Sequence, residues 1–132
     1  MCIRDSSLHL SKLEIAWLAG LFEGEAYFGL DKRSAKRYKN STSPPAPFIK
    51  IAMVDIDVIE RVAFLLNKKV FSPKRLTTTN KKVYICHIGD RETLIYLLPR
   101  ILPFMGRRRQ KTIRICIEHL DSWKEWKNDQ KK

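Results

Sequence analysis

Two acids, Glu23 and Glu25, close a segment that otherwise reads as apolar helix. A helix C-terminus carries partial negative charge, so carboxylates placed there sit against the local field. Two readings account for them: a solvated helix end, or a bound divalent cation, for which carboxylates are hard oxygen ligands. Mg²⁺ needs few protein ligands where phosphate oxygens complete its shell. Before the acids, Ala16, Gly20 and Gly24 recur at intervals of four. On a helix they form a smooth strip where a second backbone can approach closely, although a contact inside one domain has the same spacing. Two helices paired along that strip would bring two Glu25 carboxylates together on a dyad. Such a pair suits metal-assisted hydrolysis of phosphodiesters on the two strands of a duplex.

The helix that must carry these residues starts at Ser11, with Glu14 three residues on as its capping-box partner. Ile15, Leu18 and Phe22 make one apolar stripe; Leu13, Ala16, Trp17, Gly20 and Gly24 make another. Apolar residues on two sides predict packing on two sides, one against the domain's own core and one against a partner. Ala26 to Arg33 reads as a strand, and 34–47, rich in Ser, Pro and Lys, as a long loop. Phe48 to Val54 alternates, with Ile49, Ile51 and Met53 on one face and Phe48, Lys50 and Ala52 on the other. Asp55 or Asp57 caps a helix carrying Ile59, Val62, Ala63 and Leu66. A second strand pair, Arg75 to Thr79 and Lys82 to Ile88, flanks an Asn80-Lys81 turn, with Pro73 obscuring where it begins. Asp90 caps a helix from Arg91 to Leu98, Pro99 and Pro103 break or kink the chain beyond it, and a last helix runs from about Arg109 to Trp126. Ile113, Ile117, Leu120 and Trp123 form its buried stripe. The order is α-β-β-α-β-β-α-α, an α+β domain with two αββ halves. Residues 8–126 make a single domain, 1–7 an unstructured leader and 127–132 a loose polar tail.

Composition narrows the partner. The chain has 132 residues, 44% hydrophobic and 30% charged, as expected of a globular domain. Lys and Arg number 26 against 14 Asp and Glu, a net charge of +12 that favours a nucleic-acid partner over a ribosome-associated or membrane-surface role. No apolar run approaches the roughly 18 residues of a membrane span. Cys2, Cys86 and Cys116 are odd in number and lack ligand spacing with His9, His87 and His119, so a reducing intracellular compartment and no zinc site are expected. Organelle, bacterial and phage hosts all remain open.

Residues Leu18-Ala19-Gly20-Leu21-Phe22-Glu23-Gly24-Glu25-Ala26 resemble the motif that names the LAGLIDADG homing endonucleases. They match its first four letters, place acids at both Asp positions and keep a glycine between them. The resemblance extends to the αββαββα order over about residues 11 to 120, and to a basic segment after a Pro-aromatic pair, here Pro103-Phe104 and Arg107-Arg108-Arg109. It implies an antiparallel sheet curved into a saddle, helices on one face, and site-specific cleavage of double-stranded DNA of the intron or intein homing type. Glu25 falls on the metal-binding acid, and Glu23 on an acid whose role is usually structural. Asp55 falls on a position that orients water, and Arg108, or Arg107 beside it, on a basic residue that stabilises charge near the phosphate. Mg²⁺ is the implied cofactor, with Mn²⁺ or Ca²⁺ as other cations able to bind. Glu at both acid positions is one methylene longer than Asp, and Ala26 replaces the terminal glycine. A single motif implies a homodimer with Ala16, Gly20 and Gly24 at its interface, acting on a long pseudo-palindromic target and not on a membrane.

A two-stranded ribbon fits the major groove, and period-2 alternation nominates its readers. Tyr27, Gly29, Asp31 and Arg33 share a face of the first strand, and Lys50 looks outward from the second. Lys74, Arg75, Lys82 and Tyr84 are the candidates on the later pair. Lys32, Arg33, Lys36, Arg37 and Lys39, with Arg107, could anchor phosphates, although solvated charges would look the same. The alternative function is a LAGLIDADG scaffold that binds nucleic acid without cutting it, as an RNA maturase or regulator. A basic structural protein of a ribonucleoprotein is a third reading.

Overall fold

The computed structural model describes residues 8–31, 44–74, 76 and 79–130. The first helix, α1 (Lys12–Glu25), begins at the expected capping box: the Glu14 N–H donates to the Ser11 hydroxyl, and the Ser11 N–H to the Glu14 carboxylate. Strand β1 (Ala26–Asp31) follows with no intervening residue, then β2 (Ala46–Met53), α2 (Ile56–Leu66), β3 (Tyr84–Ile88), α3 (Arg91–Ile101), a 3₁₀ turn (Leu102–Phe104) and α4 (Arg107–Gln130).

Among the described residues the strands form one antiparallel sheet in the order β1-β2-β3. Its register pairs Ala26 with Ile51 and Phe28 with Ile49 on one side, and Ile51 with Cys86 and Ile49 with Ile88 on the other. Those six side chains are all buried and make the inward face of the sheet. Against it lie Ile15, Leu18, Ala19 and Phe22 of α1, Leu94, Leu97 and Ile101 of α3, and Ile113, Cys116 and Leu120 of α4. Phe22 and Phe28 meet edge to face, locking α1 to the strand it feeds.

Three expectations change. The strand awaited at Arg75 to Thr79 is not found at Leu76 or Thr79; Arg75, Thr77 and Thr78 lie outside the described residues. Pairing with β3 is instead made earlier, where Phe71 and Ile85 exchange both backbone hydrogen bonds at 2.8 and 2.7 Å. Asn80 still turns the chain, in the left-handed conformation that Asn tolerates (φ 61°). Pro99 does not end α3, which runs on to Ile101. Pro99 sits exposed in the last turn, where its missing N–H costs a single helical bond, and the Leu102 N–H still donates to the Leu98 carbonyl beyond it. The last helix begins at Arg107 and continues past Trp126 to Gln130. The leader, 1–7, lies outside the described residues.

Candidate active site and nucleic-acid interface

Antiparallel pairing brings the start of β1 beside the end of β2. Glu25 immediately precedes β1, and Asp55 follows β2 within two residues. The two acids consequently line one open cleft with Ala52, Met53, Val54 and Val83. Both are exposed. Asp55 is the N-cap residue of α2, yet its carboxylate makes no capping hydrogen bond. No three His, Cys, Asp or Glu side chains gather around a common point among the described residues. Two hard oxygen donors at an open edge fit a cation whose shell is completed by phosphate and water, rather than one enclosed by protein.

Glu23 has a different job. Two residues apart on a helix, it and Glu25 point to nearly opposite sides. The Gly106 N–H donates to Glu23 Oε1, and the Arg109 guanidinium pairs with Oε2 at 3.3 Å. This fastens the last turn of α1 to the first turn of α4, where a carboxylate also complements the helix dipole. The approach at Gly106 is close: a Cβ there would come within 2.6 Å of Glu23 Oε1, so the carboxylate would have to shift. Arg109 also lies over the Phe28 ring, 5.6 Å from its centre. Arg107 and Arg108 remain exposed, held beside the acidic end of α1 by the Glu23 tie.

On α1, Leu13, Ala16, Gly20 and Gly24 are exposed in the single chain. Leu13 is 83% exposed, and a Cβ added at either glycine would meet nothing within 4 Å. Among the described residues the small-residue strip therefore lies open to solvent. Trp17, on the same side, is half-buried under the Arg61 guanidinium, 4.3 Å from the ring centre.

The outer face of the sheet carries Tyr27, Phe48, Lys50, Ala52 and His87. In one row Lys50 is flanked by Tyr27 and His87, and all three are exposed. The Phe48 ring stacks on the His87 imidazole, 5.3 Å between centres and 20° between planes, and lies 5.8 Å from Tyr27. Tyr27 and Lys50 thus stand on the face expected of them, and Asp31 ends β1 half-buried. Tyr84 does not: its register partner is Met53, on the inward side with Cys86 and Ile88, and it packs against the core. Among the described residues of β3, His87 and Ile85 take the outward phase, and neither was nominated from sequence. Val83 to Ile88 offers apolar residues in both phases, so alternation alone does not choose a face. Lys82 and Lys74 are exposed, Lys82 reaching over the Tyr84 ring at 5.7 Å. Lys32, Arg33, Lys36, Arg37, Lys39 and Arg75 lie outside the described residues.

Comparison with solved structures decides the architecture. The homing endonuclease I-CvuI, solved with its DNA target in the presence of Ca, superposes with a TM-score of 0.63 over 88% of this chain and 71% of that one, at 12% identity. The group I intron-encoded homing endonuclease I-CeuI, complexed with DNA, gives 0.64 over 90% and 59%, at 14% identity. The I-LtrWI LAGLIDADG homing endonuclease, bound to target DNA, gives 0.57 over 95% and 42%, at 19% identity. The fold is that of the LAGLIDADG homing endonucleases. No protein-family model and no curated protein matches the sequence. The chain spans well under half of I-LtrWI and about three-fifths of I-CeuI. Within the LAGLIDADG fold, the nine motif residues make the last two turns of α1 and the first residue of β1. They supply the exposed glycine strip, the Glu23 tie and the Glu25 edge of the acidic cleft.

Proposed function

We propose that the protein is a site-specific double-strand DNA endonuclease that acts as a homodimer with Mg²⁺. The observation that carries this reading is the shared cleft of Glu25 and Asp55, opening at the edge of the outward sheet face through Ala52. A net charge of +12 and the DNA complexes of the structural neighbours support a duplex on that face.

Two copies meet along Leu13, Ala16, Gly20 and Gly24, which are exposed, with open space above both glycines among the described residues. Their packing sets two Glu25 side chains close to a dyad, one for each strand of the duplex. Glu25 would hold the cation, and Asp55 would accept a hydrogen bond from the attacking water and orient it. Arg108, with Arg107, neutralises charge on the phosphate. Divalent cations supply water activation and charge neutralisation when bound. Glu23 keeps α4 in place so that these arginines face the phosphate. Tyr27, Lys50 and Lys82 contact the groove, while Lys74 and the basic residues of 32–39 anchor backbone phosphates. The test is cleavage selection on a randomised duplex library with Mg²⁺. Recovery of a cut, near-palindromic site supports the reading; binding without cutting would favour the non-cleaving alternative.

A further inference from the structure

The outward face of the sheet is less polar than a surface that reads bases only by hydrogen bonds. Around Lys50 it presents rings: Tyr27, 61% exposed, half-buried Phe48 and exposed His87. Gly29 makes this cluster possible. A Cβ at position 29 would lie 2.7 Å from both Phe48 Cζ and Tyr27 Cε2, so the two rings meet over bare backbone. The Phe48–His87 stack fixes a third ring in line. Exposed apolar area of this kind, with a lysine in its midst on a strongly basic chain, marks a surface for an anionic partner that also offers apolar groups. In the major groove only one base does so: thymine, through its C5-methyl.

We infer that the Tyr27–Phe48–His87 cluster reads thymine methyl groups in the target, with Lys50 contacting a neighbouring base or phosphate. This rests on the sheet being the DNA-binding face. Each half-site accordingly contains a thymine at a fixed distance from the cleavage position, discriminated from uracil by its methyl alone. Removing one buried methyl from the contact weakens binding about fourfold.

The experiment selects binders from a randomised duplex DNA library in Ca²⁺, then replaces each enriched thymine by deoxyuridine, one position at a time. The wild-type chain is expected to lose about fourfold in affinity at one or two positions per half-site. Phe48→Ala is expected to bind both forms equally, and Gly29→Ala, which displaces the rings without removing them, to narrow the difference. Tyr27→Ser, at a more exposed position, serves the same purpose should Phe48→Ala fail to fold by circular dichroism. Duplex binding indifferent to uracil at every position overturns this inference and leaves the endonuclease reading standing. Failure to bind any duplex, or tighter binding to single-stranded RNA, overturns both.

Discussion

Glu23 and Gly106 are 83 residues apart in sequence, yet the carboxylate of one accepts the backbone N–H of the other. The bond joins the end of the motif helix to the start of the arginine-rich helix. Truncating Glu23 to Ala should cost about 1–2 kcal/mol, the range for losing a helix-cap acceptor. Gly106→Ala should cost less, because the flexible Glu23 carboxylate can give way to the added Cβ and keep part of the contact. The two losses should not add, since both act on one contact. Urea unfolding of both singles and the double mutant checks this; full additivity would mean that the contact contributes nothing.

The exposed strip on α1 predicts a separable oligomerisation defect. Gly20→Arg and Gly24→Arg place side chains into open space in a single chain, so the fold should survive. Across a dyad each places like charges face to face. Sedimentation should find the wild type dimeric and both variants monomeric with native circular dichroism. Variants that remain dimeric would remove α1 from the interface.

Asp90 caps α3, accepting from the Thr93 N–H at 3.2 Å and pairing with Lys68. Burial alone would raise its carboxyl, but the bonds from Lys68 and Thr93 outweigh that and hold it below its ordinary value. A depressed folded-state value stabilises the fold above the unfolded pKa of about 3.9, and that stability fades as pH falls through the folded value. Asp90→Asn retains the cap but not the charge. It should be less stable at pH 7 by under about 1 kcal/mol, because the group is partly exposed. The gap should narrow as pH falls below about 3.9 and on through the depressed folded value. A gap that persists unchanged at pH 3 would contradict the ionic origin.

Cys86 and Cys116 are free, buried thiols, each pushed up to about 11 by burial. At pH 8 both should resist iodoacetamide in the native protein and react in urea, as mass spectrometry of the two peptides would record. Rapid native labelling of either would mean that the core opens readily.

Local signals made the frame of this fold legible. Ser11 and Glu14 started α1 where a capping box belongs, and Ile49, Ile51 and Met53 alternated cleanly with Phe48, Lys50 and Ala52. Glu25 and Asp55 were chosen separately as candidates, and strand pairing brought them to one cleft. The less legible features depend on residues far apart in sequence. Tyr84 was nominated and His87 passed over on a pattern that is apolar in both phases, and only pairing with β2 settled which looks outward. Pro99 signalled a break, but it falls where a helix near its end tolerates one. The ring cluster over Gly29 needed two strands in register before it could exist.

Glu25 tests the account most directly. A duplex recovered by binding selection should be cut on both strands by the wild-type chain with Mg²⁺. Glu25→Gln should bind that duplex with nearly unchanged affinity while its cleavage rate falls at least about a hundredfold. A Glu25→Gln chain that cuts at the wild-type rate would contradict the assignment of Glu25 to the reaction.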